Sequence, residues 1–98
     1  MTDFSHTHYR IRTAEDVAIG ATSAASSGTA GPGDHAVFLA PDANCHVRIG
    51  PATPTAVATD TYLAGNTTAT FRISDGDKVA VIQEGAATGQ LNVSFLTL

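Results

Sequence analysis

The chain has 98 residues, a formal net charge of −4 and only 14% charged side chains, so it is read as one domain with a single modest core. Its five Lys and Arg residues are scattered, which argues against nucleic-acid binding, because a phosphate backbone needs a basic face. One cysteine excludes an internal disulfide, and the Trp-free, Ala- and Thr-rich composition leaves few large side chains for the core, so oligomerisation or docking on a larger body is expected to add stability.

The start, Met1-Thr-Asp-Phe-Ser-His6, lacks a basic-then-apolar layout, so no signal peptide is expected. No apolar run approaches the ~20 residues of a membrane helix. A soluble product made in the cytosol is the expectation. Two strand-like pieces follow, His8-Tyr-Arg-Ile-Arg12 and Asp16-Val-Ala-Ile-Gly20. Thr13 with Asp16 three residues on is a weak capping pattern, but nothing amphipathic follows, so strand is preferred. Gly20 to Gly33 is rich in Gly, Ser, Ala and Thr and would be flexible on its own. It reads as a mobile surface loop or hinge, or as an arm joint that lets the N-terminal segment reach a neighbouring subunit. Residues 1–33 are therefore taken as an N-terminal strand or arm plus a flexible segment, and residues 34–98 as the core of the same domain.

From Asp34 the signals sharpen. His35–Ala40 ends at Pro41-Asp42, a type I turn pattern. Cys45–Ile49 is stopped by Gly50-Pro-Ala-Thr-Pro-Thr55, since neither proline can donate to a ladder. Thr61-Tyr-Leu63 is a short edge strand. Thr68–Ser74 leads into Ser74-Asp-Gly-Asp77, an Asp-Gly hairpin signal that predicts pairing with Lys78–Gln83. Gln90–Thr97 closes the domain. Val47/Ile49, Ala69/Phe71/Ile73 and Leu91/Val93/Phe95 form dry faces, with His46, Arg48, Thr70, Arg72, Asn92 and Ser94 opposite. Val79-Ala-Val-Ile82 is apolar on both faces, so it is expected to be a central strand or to meet another body; that strand and Gly20–Gly33 are the expected partner sites. The predicted fold is all-β: a small antiparallel β-sandwich or jelly-roll-like barrel of six to eight strands, with the flexible segment near its N-terminus.

The residues that could carry chemistry do not assemble into a motif. His6-Thr-His8 puts two imidazoles on one face of an extended segment, and His35 or His46 could add a third ligand. Glu15 is the sole nearby glutamate, however, and the glycine framing of a cupin-type site is missing. No metal or other cofactor is therefore assigned. Asp75-Gly-Asp77 lacks the further ligands of a calcium loop. Gly28-Thr-Ala-Gly-Pro-Gly33 is too irregular for a phosphate loop, and Pro32 removes an amide. Cys45 and His46 are neighbours on a strand and point to opposite faces, so they cannot act as nucleophile and base together; Cys45 reads as a small buried hydrophobe. Asn66-Thr-Thr68 and Asn92-Val-Ser94 match glycosylation sequons but lack a secretion signal. No enzyme is predicted.

One resemblance remains. Cys45-His-Val-Arg-Ile-Gly-Pro-Ala-Thr-Pro-Thr-Ala56, Tyr62-Leu-Ala-Gly-Asn66, Phe71-Arg-Ile-Ser-Asp-Gly-Asp-Lys-Val-Ala-Val-Ile82 and Gly89-Gln-Leu-Asn-Val93 follow one another in an order that resembles the small β-sandwich head decoration, or cement, proteins of tailed bacteriophages. The resemblance covers about Val37 to Leu98 and consists of turns and strands rather than a catalytic motif. It implies a virion structural protein on the capsid exterior, a homo-oligomer (a trimer in that family) that bridges subunits of the major capsid protein. The alternative is another virion component, in the tail, at the head–tail junction, or a small glycan-binding adhesin. Phe4, Tyr9, Arg10, Ile11 and Arg12 are the expected partner contacts, because Tyr and Arg are favoured interface anchors; an ordinary N-terminal strand is the competing reading of the same residues.

Overall fold

The computed structural model describes residues 9–98. These residues form eight strands and no helix: β1 (Arg10–Ile19), β2 (Ala24–Ala25), β3 (Asp34–Pro41), β4 (Cys45–Pro51), β5 (Thr61–Leu63), β6 (Ala69–Arg72), β7 (Asp77–Gln83) and β8 (Gly89–Thr97). They lie in two four-stranded sheets, ordered β1-β8-β3-β6 and β2-β7-β4-β5. All pairings are antiparallel. Every connection crosses from one sheet to the other except β4 to β5. That is the strand order of an eight-stranded jelly roll, so the all-β prediction holds.

Period-two alternation sets the core. Val17 and Ile19 of β1, Val37 and Leu39 of β3, and Leu91, Val93 and Phe95 of β8 face Cys45 and Val47 of β4 and Val79 and Val81 of β7. Phe95, Leu39 and Leu91 are the largest fully buried side chains. Phe71, Ala69 and Ile49 pack against this cluster while staying partly exposed. The thin supply of large side chains read from composition thus places much of the interior on valine and alanine.

Two expectations are corrected and a third is resolved. First, β6 and β7 do not pair with each other. β6 pairs with β3, whereas β7 lies between β2 and β4. The tight hairpin turns need positive φ at their first central residue; here Gly76 has it, at 91°, and Asp75 does not. The Ser74–Asp77 turn, closed by Asp77 N–H to the Ser74 carbonyl at 3.0 Å, therefore carries the chain across the sandwich.

Second, the Gly/Ser/Ala-rich stretch is not a free flexible segment but is bonded into the sandwich. It contributes β2, and Ser26 N–H donates to the Val79 carbonyl at 2.8 Å while the Ser26 hydroxyl accepts from Val79 N–H at 3.1 Å. Ala30 is in the core and exchanges bonds with Asp77 and Gly76, each 2.8 Å. Third, of the two readings of β7, the central strand is the one observed, between β2 and β4, and its second face is covered from within the chain. Ala80 and Ala56 are both fully buried, and Ala56 N–H donates to the Ser23 hydroxyl at 2.9 Å. The β4–β5 connection thus lies against the outer face of its own sheet.

Candidate interaction surface

The two outer faces differ. On the sheet that contains β2, Asp60 at the end of the β4–β5 connection is tied down to β4. Its carbonyl accepts from His46 Nδ1 at 2.9 Å, and its carboxylate accepts from Arg48 at 2.9 and 3.1 Å and from Val57 N–H at 2.8 Å. The Val57 amide first, and then Arg48, hold the Asp60 carboxyl below the usual carboxylate range.

On the sheet that contains β1, the outer face is open at its β1 end, where Tyr9 and Ile11 are exposed, while Ala36, Ser94 and Leu96 nearer its centre are buried. Here the outward residues of β8, Asn92, Ser94 and Leu96, run between Asp16, Ala14 and Ile11 of β1 and Ala40, Phe38 and Ala36 of β3. Tyr9, just before β1, lies over this face and is flanked by two grooves. One, of ≈ 430 Å³, is lined by Ile11, Phe38, Asn92, Ser94 and Leu96; the other, of ≈ 310 Å³, by His35, Ala36, Thr70, Phe71 and Arg72. Ile11 is 69% exposed and Tyr9 41%, and exposed Leu98 follows directly at the end of β8. Apolar side chains so open and so close together mark a contact surface more often than a solvated one.

The expected partner contacts separate. Phe4 lies outside the described residues, as do His6 and His8. Tyr9 and Ile11 are exposed at one corner of the open face, and Arg10, also exposed, alternates to the other side of β1. Arg12 is committed inward instead. It occupies a bulge, opposite Phe95 with Thr13, where the β1–β8 register shifts. Its guanidinium lies 5.6 Å from the Phe95 ring centroid, within cation–π range. Its Nε donates to both Asp34 oxygens at 2.9 Å, and its Nη2 donates to the Thr29 carbonyl at 3.0 Å.

The Asp34 side chain is fully buried and also accepts from Gly31 N–H at 2.8 Å. The Arg12 hydrogen bond, ahead of an opposing burial effect, holds its carboxyl below the ordinary value. The same bond raises the Arg12 guanidinium. Glu15 completes the fastening by accepting from Ser27 N–H at 2.8 Å and Gly28 N–H at 2.6 Å. Arg12 and Glu15 together clamp the 26–34 strap onto β1.

Cys45 and His46 do face opposite sides of β4. Burial pushes the Cys45 thiol up to about 11, which leaves almost no thiolate near neutrality. His46 was expected on a polar, open face, yet it is only 7% exposed. Tyr62, its partner on β5, tilts against the ring at 5.5 Å. Alternation reports the side of a strand and not what a connection lays on top of it, so no local signal predicts this burial. Among the described residues no group of three or more His, Cys, Asp or Glu side chains comes together as a metal site. Compared with known proteins, the chain matches no family model, no curated protein and no solved structure.

Proposed function

We propose that this chain is a non-enzymatic structural protein of a tailed-bacteriophage virion, a decoration or cement protein that binds the capsid exterior and bridges major capsid subunits. The observation that carries the reading is the asymmetry of the two outer faces. One is covered by the protein's own β4–β5 connection, and the other leaves Tyr9, Ile11 and Leu98 open beside an apolar groove. A small domain that adheres to a larger body needs such a face, with aromatic and arginine anchors near its centre. Arg72 stands at its rim.

The jelly roll is compatible with this role, since viral capsid domains use it, but lectins and cupins use it as well. The order of turns and strands from Cys45 to Val93 points the same way. The copies of the chain are expected to associate, because the core is thin and a partner on the open face would bury the exposed apolar side chains.

Copy number tests the proposal. Quantitative mass spectrometry of purified particles that carry this chain is expected to find it in numbers comparable with the major capsid protein. A handful of copies per particle would place it in the tail or at the junction and overturn the decoration role.

A further inference from the structure

We propose that His46 Nε2 and Glu84 Oε2 form a two-residue site for a divalent transition-metal cation, zinc foremost, on the outer face of the sheet that contains β2. The proposal does not depend on the virion role. It begins with the tautomer. His46 Nδ1 is 2.9 Å from the Asp60 carbonyl. A carbonyl can only accept, so Nδ1 carries the hydrogen, and Nε2 of the neutral ring carries a lone pair.

That lone pair is buried and has no hydrogen-bond partner among the described residues. Glu84 Oε2 is 3.3 Å from Nε2, but a carboxylate oxygen has no hydrogen to give a lone pair. Buried polar atoms are rarely left in this state without a reason. The separation has a direct chemical meaning. Zinc binds His nitrogen and Glu oxygen at about 2.0–2.2 Å, and two such ligands at a tetrahedral angle lie about 3.3–3.5 Å apart. The observed 3.3 Å therefore matches the spacing of two ligands on one ion.

The surroundings suit a ligand. Metal-binding histidines commonly donate their other ring nitrogen to a carbonyl, as His46 does to Asp60, which fixes the ring. Tyr62 tilts against the imidazole at 59° and limits its rotation. The Glu84 side chain is 48% exposed, so it can swing to admit an ion, and water or a partner's donor can fill the remaining positions. Glu84 supplies the negative charge. The other charged neighbours, Asp60 and Arg48, pair with each other at 2.9 Å, and Tyr62 is the remaining titratable group at the ring. A proton and the metal compete for the same lone pair, so acid weakens binding.

The test is calorimetric titration of the full, untagged chain with Zn²⁺ in chelator-free buffer, with the His46 ring nitrogens followed by NMR. One equivalent is expected to bind and to shift the Nε2 resonance. Glu84→Gln and His46→Gln are each expected to weaken binding by at least about tenfold, whereas His6→Gln/His8→Gln and His35→Gln keep the His46 shift. Glu84 is half-exposed, so Glu84→Gln remains informative if His46→Gln unfolds. Zinc binding that survives Glu84→Gln, or a wild-type chain whose Nε2 responds to pH but not to zinc, would overturn the proposal; the second result would make the pair a proton-linked ion pair.

Discussion

At the scale of single residues, Asp34 shows how a charge is accommodated inside a thin core. Its carboxylate is sealed from water yet meets Arg12 and the Gly31 amide, so both oxygens are satisfied. Its folded-state pKa is lowered, so its contribution is complete above the unfolded value of ~3.9 and is lost as pH falls through the folded value. Urea melts from pH 7 down to pH 2 are expected to show this loss below about pH 4. Asp34→Asn removes that acid-dependent component and costs about 1–2 kcal/mol at pH 7. The lower half of that range is favoured because the Arg12 side chain is 40% exposed and water screens the pair. An Asp34→Asn protein with an unchanged acid limb would show that other carboxylates control acid unfolding. Asp34 was legible only as the start of a strand; its partner is 22 residues earlier, and no local pattern links the two.

At the scale of elements, the strap from Ser26 to Asp34 decides how β1 is held. It bridges both sheets, bonding to Val79 and Asp77 on one side and to Glu15 and Arg12 on the other. Gly28 sits where there is no room for a side chain: an added Cβ would lie 2.9 Å from Glu15 Oε1 and 3.3 Å from the Phe95 ring. Gly33 has open space at the same position. Thermal unfolding is expected to show Gly28→Ala destabilised by roughly 1–3 kcal/mol and Gly33→Ala within about 0.5 kcal/mol of the parent. Equal effects would mean that the strap is not pressed against β1.

The strands themselves were readable because alternation is a local property. The dry faces of β4, β6 and β8 follow it, and the edge position of β5 follows from its shortness. Sheet membership was not readable. Nothing in Ser74-Asp-Gly-Asp77 tells whether the next strand returns beside β6 or crosses the core; the pairing of β6 with β3 and of β7 with β4 shows that it crosses. The strap carries no hydrophobic period; backbone bonds and one serine hydroxyl hold it, and composition alone cannot distinguish that from a mobile tether.

At the scale of the whole molecule, the two outer faces differ in what covers them. The β4–β5 connection shields Ala80 and His46, while the face built on β1, β8 and β3 remains open around Tyr9 and Ile11. Of the N-terminal residues singled out from the sequence, Tyr9 and Ile11 stand on this face, Arg10 alternates away from it, and Arg12 is spent on Asp34. The most direct measurement of the docking role is occupancy on purified capsids stripped of this protein, comparing the parent chain with Ile11→Asp and with Val57→Asp, which places the same charge on the opposite side. Ile11 is largely exposed, so its replacement leaves the fold intact, as circular dichroism can verify. Ile11→Asp is expected to reduce occupancy at least about tenfold, equivalent to 1.4 kcal/mol, while Val57→Asp binds like the parent. Full occupancy by Ile11→Asp, or equal losses in both variants, would contradict docking through the open face.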